Sequence, residues 1–172
     1  VENADFTFKD CLIFNQPLSL NGDEMLSMKE FLMNCQNFNS SFTMSNTSKL
    51  TDVESFFNNC SSLETPGTLW SDTSKITTFE TTFDNCLMLN QSIVLNCASC
   101  TTLLNTFRNN QNQENNVTLQ NTNLVEILNN IFLNCFKIPS INIGSTANVL
   151  SFEFAFKECR LLNSPITLDC TD

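Results

Sequence analysis

The chain has 172 residues, 8 basic against 18 acidic, and a net charge of −10. Such an acidic balance excludes the basic footprint that nucleic acid and anionic membrane surfaces require. Histidine is absent, which removes Ser-His-Asp and Cys-His catalysis, and no apolar run approaches the ~18 residues of a membrane-spanning helix.

Taken in chain order, one short motif returns seven times: an aromatic, two spacers, a cysteine, two spacers, an apolar residue. Phe8…Cys11…Phe14 is the first copy. Leu32…Cys35…Phe38, Phe57…Cys60…Leu63, Phe83…Cys86…Leu89, Phe132…Cys135…Ile138 and Phe156…Cys159…Leu162 follow. One copy is degenerate, with Asn110 for the cysteine and Gln113 for the apolar residue after Phe107. The anchors at 11, 35, 60, 86, 110, 135 and 159 lie 24, 25, 26, 24, 25 and 24 residues apart. A constant period of this size predicts a single solenoid domain over 1–172, built from seven stacked coils.

Each coil reads the same way. Apolar residues fall three, seven and ten positions before the anchor, as in Met25, Met28 and Leu32, or Ile76, Phe79 and Phe83. Spacings of three and four predict a short helix per coil. Thr51…Glu54 and Thr77…Glu80 read as capping boxes that start it, with Ser27…Glu30 and Asn123…Glu126 as looser versions. The residue before the anchor is Asn34, Asn59, Asn85, Asn109 or Asn134 in the inner coils. Asn tolerates the left-handed conformation that closes a helix, and stacked Asn could form a ladder. Seven and nine residues after the anchor lie Leu18/Leu20, Phe42/Met44, Gly67/Leu69, Ile93/Leu95, Val117/Leu119, Ile141/Ile143 (one residue earlier) and Ile166/Leu168. That alternation predicts one short parallel strand per coil. The expected fold class is an α/β, leucine-rich-repeat-like solenoid.

These residues resemble the BspA-like leucine-rich repeats of microbial surface proteins. Phe154-Ala155-Phe156-Lys157-Glu158-Cys159-Arg160-Leu161-Leu162 is similar to that family's AFxxCxxL core. A second form, common in mycoplasma lipoproteins, reads MFxxCxxFNQxLxxWxxSxVxxM. Phe14-Asn15-Gln16-Pro17-Leu18, Leu89-Asn90-Gln91-Ser92-Ile93 and the stretch from Leu69-Trp70-Ser71 to Ile76-Thr77 resemble its later segments. The fifth repeat departs from the pattern, and Trp70 is the only tryptophan. The resemblance implies adhesion or protein recognition at a cell surface. It implies no catalytic residues and no cofactor.

Of nine cysteines, six share the anchor column, where Cys packs as a small hydrophobe. Neighbours in that column are also close enough to pair, as Cys35–Cys60 or Cys135–Cys159. Cys97 and Cys100 form the chain's C-x-x-C, a candidate local disulfide, without the βαβ context of a redox motif or the partners of a zinc site. Cys170 falls outside the column and is a candidate for a free thiol or an intermolecular bond.

Other candidate sites are few. Glu54 and Glu80 occupy equivalent positions in adjacent coils; they read as a solvated face, with a carboxylate acid/base or calcium pair as the alternative. Trp70 follows a strand and reads either as an exposed recognition residue or as cover for the corner of its coil. N-x-S/T acceptor sites stand at Asn39, Asn46, Asn59, Asn90 and Asn116, permitting a secreted glycoprotein. The start at Val1, without Met or an apolar leader, reads as a processed product or an excised segment. Val1 and Asp172 hold the repeat in phase, so Val1, Phe6, Phe8, Leu18, Leu20, Leu161, Ile166 and Leu168 are candidates for end-to-end contact, strand against strand. The expected function is non-enzymatic: an extracellular or cell-surface protein whose partners are other proteins or further copies of itself. It acts either as a recognition module or adhesin, or as a filament subunit. A purely scaffolding segment of a longer repeat protein is the runner-up, and a carboxylate hydrolase a distant third.

Overall fold

The computed structural model describes residues 1–169. Five strands form: β1 (Leu18–Asn21), β2 (Phe42–Ser45), β3 (Ile93–Asn96), β4 (Val117–Gln120) and β5 (Ile141–Ile143). They make two parallel sheets, β1-β2 and β3-β4-β5. Register runs one repeat apart, with Leu18 opposite Phe42 and Ile93 opposite Val117 opposite Ile141. A second line of pairing threads all seven repeats through single bridges: Asn3, Ser27, Asp52, Thr78, Thr102, Ile127 and Ser151, each to the next. Repeats 1–24, 25–49, 50–75, 76–99, 100–124, 125–148 and, as far as it is described, 149–169 therefore stack in sequence order.

The helix per coil does not form: among the described residues there is none. A ribbon of β-turns takes its place. The fifth residue before each anchor and the residue just before it both hold positive φ, as in Glu30 (53°) and Asn34 (63°), or Asn105 (55°) and Asn109 (65°). A left-handed residue at every fourth position breaks the i→i−4 ladder of an α-helix. Backbone donors divide in two directions instead. The N–H groups of Phe31, Met33 and Cys35 close local turns on the carbonyls of Met28, Glu30 and Leu32. Those of Met28, Glu30, Leu32 and Asn34 cross to Asp52, Glu54, Phe56 and Asn58 in the next coil at 2.8–3.0 Å. The turn ribbon has a four-residue period, so its apolar stripe mimics that of a helix. The expected capping threonines serve the stack as well: Thr51 donates its N–H and Oγ1 to Leu26 C=O, and Thr77 does the same to Thr51 C=O.

Side chains repeat the same vertical logic. Phe57, Phe83, Phe107, Phe132 and Phe156 stack face to face with centroids 5.3–6.1 Å apart. Phe14 and Phe38 extend that column towards the first coil. Each anchor thiol from Cys35 onward donates to the carbonyl of the residue that opens the preceding motif: Cys35 to Phe8, Cys60 to Leu32, Cys86 to Phe57, Cys135 to Phe107 and Cys159 to Phe132, at 3.0–3.2 Å. The asparagines before the anchors do form a ladder. Asn34 donates to Asp10 and Asn59 to Asn34; the ladder resumes with Asn109 to Asn85 and Asn134 to Asn109, all at 2.7–2.8 Å. A second set of amides follows the anchors: Asn15, Asn39 and Asn90 accept the backbone N–H of Asn39, Glu64 and Glu114 one coil on. The fifth coil breaks these patterns. Asn110 and Gln113 are buried where other coils hold cysteine and an apolar side chain, and both Asn110 amide atoms and Gln113 Oε1 lack a protein partner.

Two expected strands are absent. Ile166–Leu168 forms none, and Gly67–Leu69 is interrupted by a bulge. Phe42 N–H bonds Pro66 C=O and Met44 N–H bonds Leu69 C=O, so three steps on one side meet two on the other. Gly67, at φ 87°, absorbs the extra residue of the 26-residue repeat. Trp70, in place of Leu69, becomes the inward partner of Met44.

Asp84 and Arg108 occupy the same place in adjacent coils and form a two-pronged ion pair, Nε–Oδ1 2.9 Å and Nη2–Oδ2 2.5 Å. The carboxylate is almost wholly buried, and burial pushes its pKa upward even beside the guanidinium. Arg108→Ala leaves that carboxylate without its counter-charge and should cost about 3 kcal/mol at neutral pH. Because the folded state takes up the Asp84 proton more readily than the unfolded chain, the deficit should shrink on acidification and vanish in Asp84→Asn/Arg108→Ala. Urea denaturation at pH 7 and pH 4.5 measures both effects. The left-handed positions give a second expectation: Asn109→Val should destabilise by about 1–3 kcal/mol through backbone strain, and Asn109→Gly by clearly less. Urea midpoints of the two variants decide it.

Candidate functional site

The bulged third coil lies between the two sheets, bridged to β2 but without a ladder to β3. Residues 67–70 make no ladder with β3, whereas β3, β4 and β5 share one. Side chains hold the two edges instead. Gln91 closes one end, accepting Gly67 N–H at 3.0 Å and donating to Gly67 C=O at 2.8 Å. Thr73 closes the other, accepting Asn96 N–H at 2.7 Å and donating to Asn96 C=O at 3.1 Å. Between the clamps lies a cleft of about 240 Å³, bordered by Thr68, Leu69, Trp70, Ser92 and Val94. Nothing in the sequence reading located the opening.

Trp70 is not an exposed recognition residue. It is 8% accessible, its ring edge-on to Phe56 at 5.4 Å and packed against Phe79 and Phe83. The bulge turns it inward. Its Nε1–H has no partner.

Beyond the cleft, the outward face of the strands carries short uncharged side chains: Ser19, Thr43, Val94, Thr118 and Asn142. The charges sit elsewhere, in pairs such as Lys9–Glu30, Lys29–Glu54 and Lys137–Glu114. Glu54 is thus held by Lys29 at 2.8 Å. Burial, and then the charge of Glu54, push the Glu80 carboxyl up. Among the described residues no group of three or more Cys, Asp or Glu is arranged to hold a metal ion.

The expected end contacts occupy the outer coils. Val1, Phe6, Leu161 and Leu168 are exposed, while Phe8, Leu18, Leu20 and Ile166 are half-buried. Of the glycan acceptors, Asn39, Asn46 and Asn116 are exposed, and Asn59 and Asn90 half-buried. The Asn59 and Asn46 amide nitrogens are spent on Asn34 and Asn21. Missed in the sequence was a buried corner: Thr47, Thr73, Thr122 and Thr146, whose hydroxyls bond the backbone of the next coil. Their recurrence three residues before Leu50, Ile76, Val125 and Val149 was the available signal. Cys97 and Cys100 fill the same T-x-x-apolar corner in the fourth coil.

Both of those thiols are buried, across one turn closed by Cys100 N–H to Cys97 C=O at 3.0 Å. The contact with Cys100, and then burial, push the Cys97 thiol up. Burial raises Cys35 and Cys159 to about 11. Cys11 alone among the described cysteines is exposed, and Cys170 lies outside the described residues. Native alkylation at pH 7.5, read by peptide mass spectrometry, should therefore modify Cys11 quickly and Cys35, Cys60, Cys86 and Cys135 only after denaturant is added.

Among the described residues no helix is long and apolar enough to cross a membrane. No curated protein and no solved structure matches the chain. One family does, over residues 1–96 and 101–168, and the chain belongs to it: the Mycoplasma proteins of unknown function described as DUF285.

Proposed function

We propose that this chain is a non-enzymatic recognition module of an extracellular or cell-surface protein, binding other proteins through the outward strand face. The observation that carries this reading is the division of labour between backbone and surface. Coil-to-coil hydrogen bonds and buried columns satisfy the scaffold without the outward side chains of β1–β5. Those positions are free to vary without cost to folding, which is what a recognition surface needs. Their lack of charge suits a partner surface read by shape and hydrogen bonding. Membership of a repeat-type surface family supports the location. A Cys97–Cys100 disulfide in oxidising surroundings and glycans at Asn39 or Asn116 belong to the same reading.

A second reading rests on the end coils, where Phe6, Leu12, Ile13, Phe154 and Leu161 are exposed. A further coil in register, from a second copy or from adjoining repeats, would cover them. Sedimentation velocity across a concentration series tests the self-stacking form. A single 19 kDa species at every concentration rejects it.

For the recognition reading, beads coated with the chain should bind a panel of immobilised extracellular proteins. Thr43→Glu/Thr118→Glu should lower that binding by roughly tenfold or more, while leaving the urea midpoint unchanged. Binding untouched by this pair, yet lost on substitution of the turn ribbon's outer residues, would place the partner elsewhere.

A further inference from the structure

In the turn ribbon, each coil joins the next through a row of bonds that all run one way. Residues seven, five, three and one before an anchor donate N–H to carbonyls eight, six, four and two before the next anchor. Leu128, Asn130, Phe132 and Asn134 thus bond Ser151, Glu153, Ala155 and Lys157. The last coil presents the equivalent donors, Phe152, Phe154, Phe156 and Glu158. The first presents the equivalent acceptors, Asn3, Asp5, Thr7 and Lys9. None of these eight groups has a backbone partner among the described residues. Such rows are templates for pairing. Two like faces would set donors against donors, so only a head-to-tail contact satisfies both.

Side chains follow the same register. Five before the anchor, the inner coils carry Glu30, Ser55, Thr81, Asn105 and Asn130. Neighbours in that column touch, as Ser55 Oγ and Thr81 Oγ1 do at 2.7 Å. The end coils instead carry Phe6 and Phe154, both about half exposed. Two after the anchor, Asn112 Nδ2 reaches Met88 Sδ at 3.2 Å, and the end coils hold the exposed Ile13 and Leu161. Seven before the anchor, Ala4 is the smallest residue of its column and borders a hollow of about 360 Å³ with Phe8, Met25 and Phe31. The last coil has Phe152 at that place. Continuing the stack into a second copy lays Phe154 on Phe6, Leu161 on Ile13 and Phe152 over the hollow.

We propose that a second copy of this chain stacks its first coil on the last coil of its neighbour through this seam, and that paired carboxylates keep the contact weak at neutral pH. The proposal rests on the self-stacking reading above and names its register and its control. The contact runs through the turn ribbon, since Ile166–Leu168 forms no strand.

The same continuation sets Glu158 beside Asp10, in the column of the asparagine ladder, and Glu153 beside Asp5. Asp10 already accepts from Asn34, and Asp5 from Ser27 Oγ and Lys29 N–H. The nearby cations are committed: Lys9 to Glu30, Lys29 to Glu54 and Arg160 to Glu158. Lys157 lies over the Phe154 ring and would meet Lys9 in its own column. Like charges one rung apart repel, and one proton per carboxylate pair relieves them. Stacking therefore takes up protons and strengthens as pH falls.

Sedimentation velocity of the chain up to about 1 mM, at pH 7.5 and pH 5.0, reads the association. The expected result is a concentration-dependent series of stacked copies, tighter at pH 5.0 by about tenfold or more. Asp10→Asn restores the ladder rung and should tighten stacking by about tenfold at pH 7.5. Phe6→Lys/Ile13→Lys blocks one face, and Phe154→Lys/Leu161→Lys the other. All four positions are exposed, so urea midpoints should not move. Each blocked variant alone should stay monomeric, and an equimolar mixture should stop at twice the 19.4 kDa chain mass. Association that survives in either blocked variant, or a mixture without that dimer, overturns this seam and leaves self-stacking by other contacts standing. Association indifferent to both pH and Asp10→Asn overturns the carboxylate control. A single 19 kDa species of the unaltered chain at both pH values overturns the seam and the reading beneath it.

Discussion

The structure depends on how each turn of chain divides its backbone donors. A helix would close every N–H on its own carbonyls and leave successive repeats joined by side chains alone. The left-handed residue at every fourth position prevents this. Half of the donors in the ribbon close a turn, and the other half cross to the next coil. The phenylalanine stack, the thiol-to-carbonyl bonds and the asparagine ladder all follow, because the crossing bonds put equivalent residues directly above one another.

That constraint also explains which parts of the fold were legible in the sequence. The anchors, the phenylalanine column and the strands beginning at Leu18, Phe42, Ile93, Val117 and Ile141 could be read from spacing alone, since each is a contact with its own copy one repeat away. The helix was a misreading of period. Turns that repeat every four residues and a helix of 3.6 residues per turn place apolar side chains at nearly the same intervals over a segment this short. The clue lay in residue type. Asn, Thr and Phe are weak helix formers, and the asparagines before the anchors favour positive φ. Phe31 and Phe56, four before their anchors and stacked at 5.2 Å, went unread because the helical stripe had been drawn through other positions.

The candidate site was much less legible. Sequence reading singled out Trp70 as either surface or corner. One inserted residue decided between them by sliding the tryptophan inward and unpairing the strand behind it. A bulge of this kind depends on where the extra residue is absorbed, and the 26-residue spacing says only that it must be absorbed somewhere. Gln91 could be noticed as part of a family-like FNQ segment, but its service as a clamp on Gly67 appears only when the two coils are seen side by side.

Asn110 and Gln113 place an imperfection near the middle of an otherwise regular array. In a body whose units touch only their immediate neighbours, cooperativity is carried across each seam in turn. The β3-β4-β5 ladder still crosses coil five, and Gln113 Nε2 still bonds Gln91 C=O in the coil before, whereas coil three meets β3 with no strand ladder at all. A pull along the stacking axis should therefore part coil three from β3 before it opens the β3-β4-β5 block.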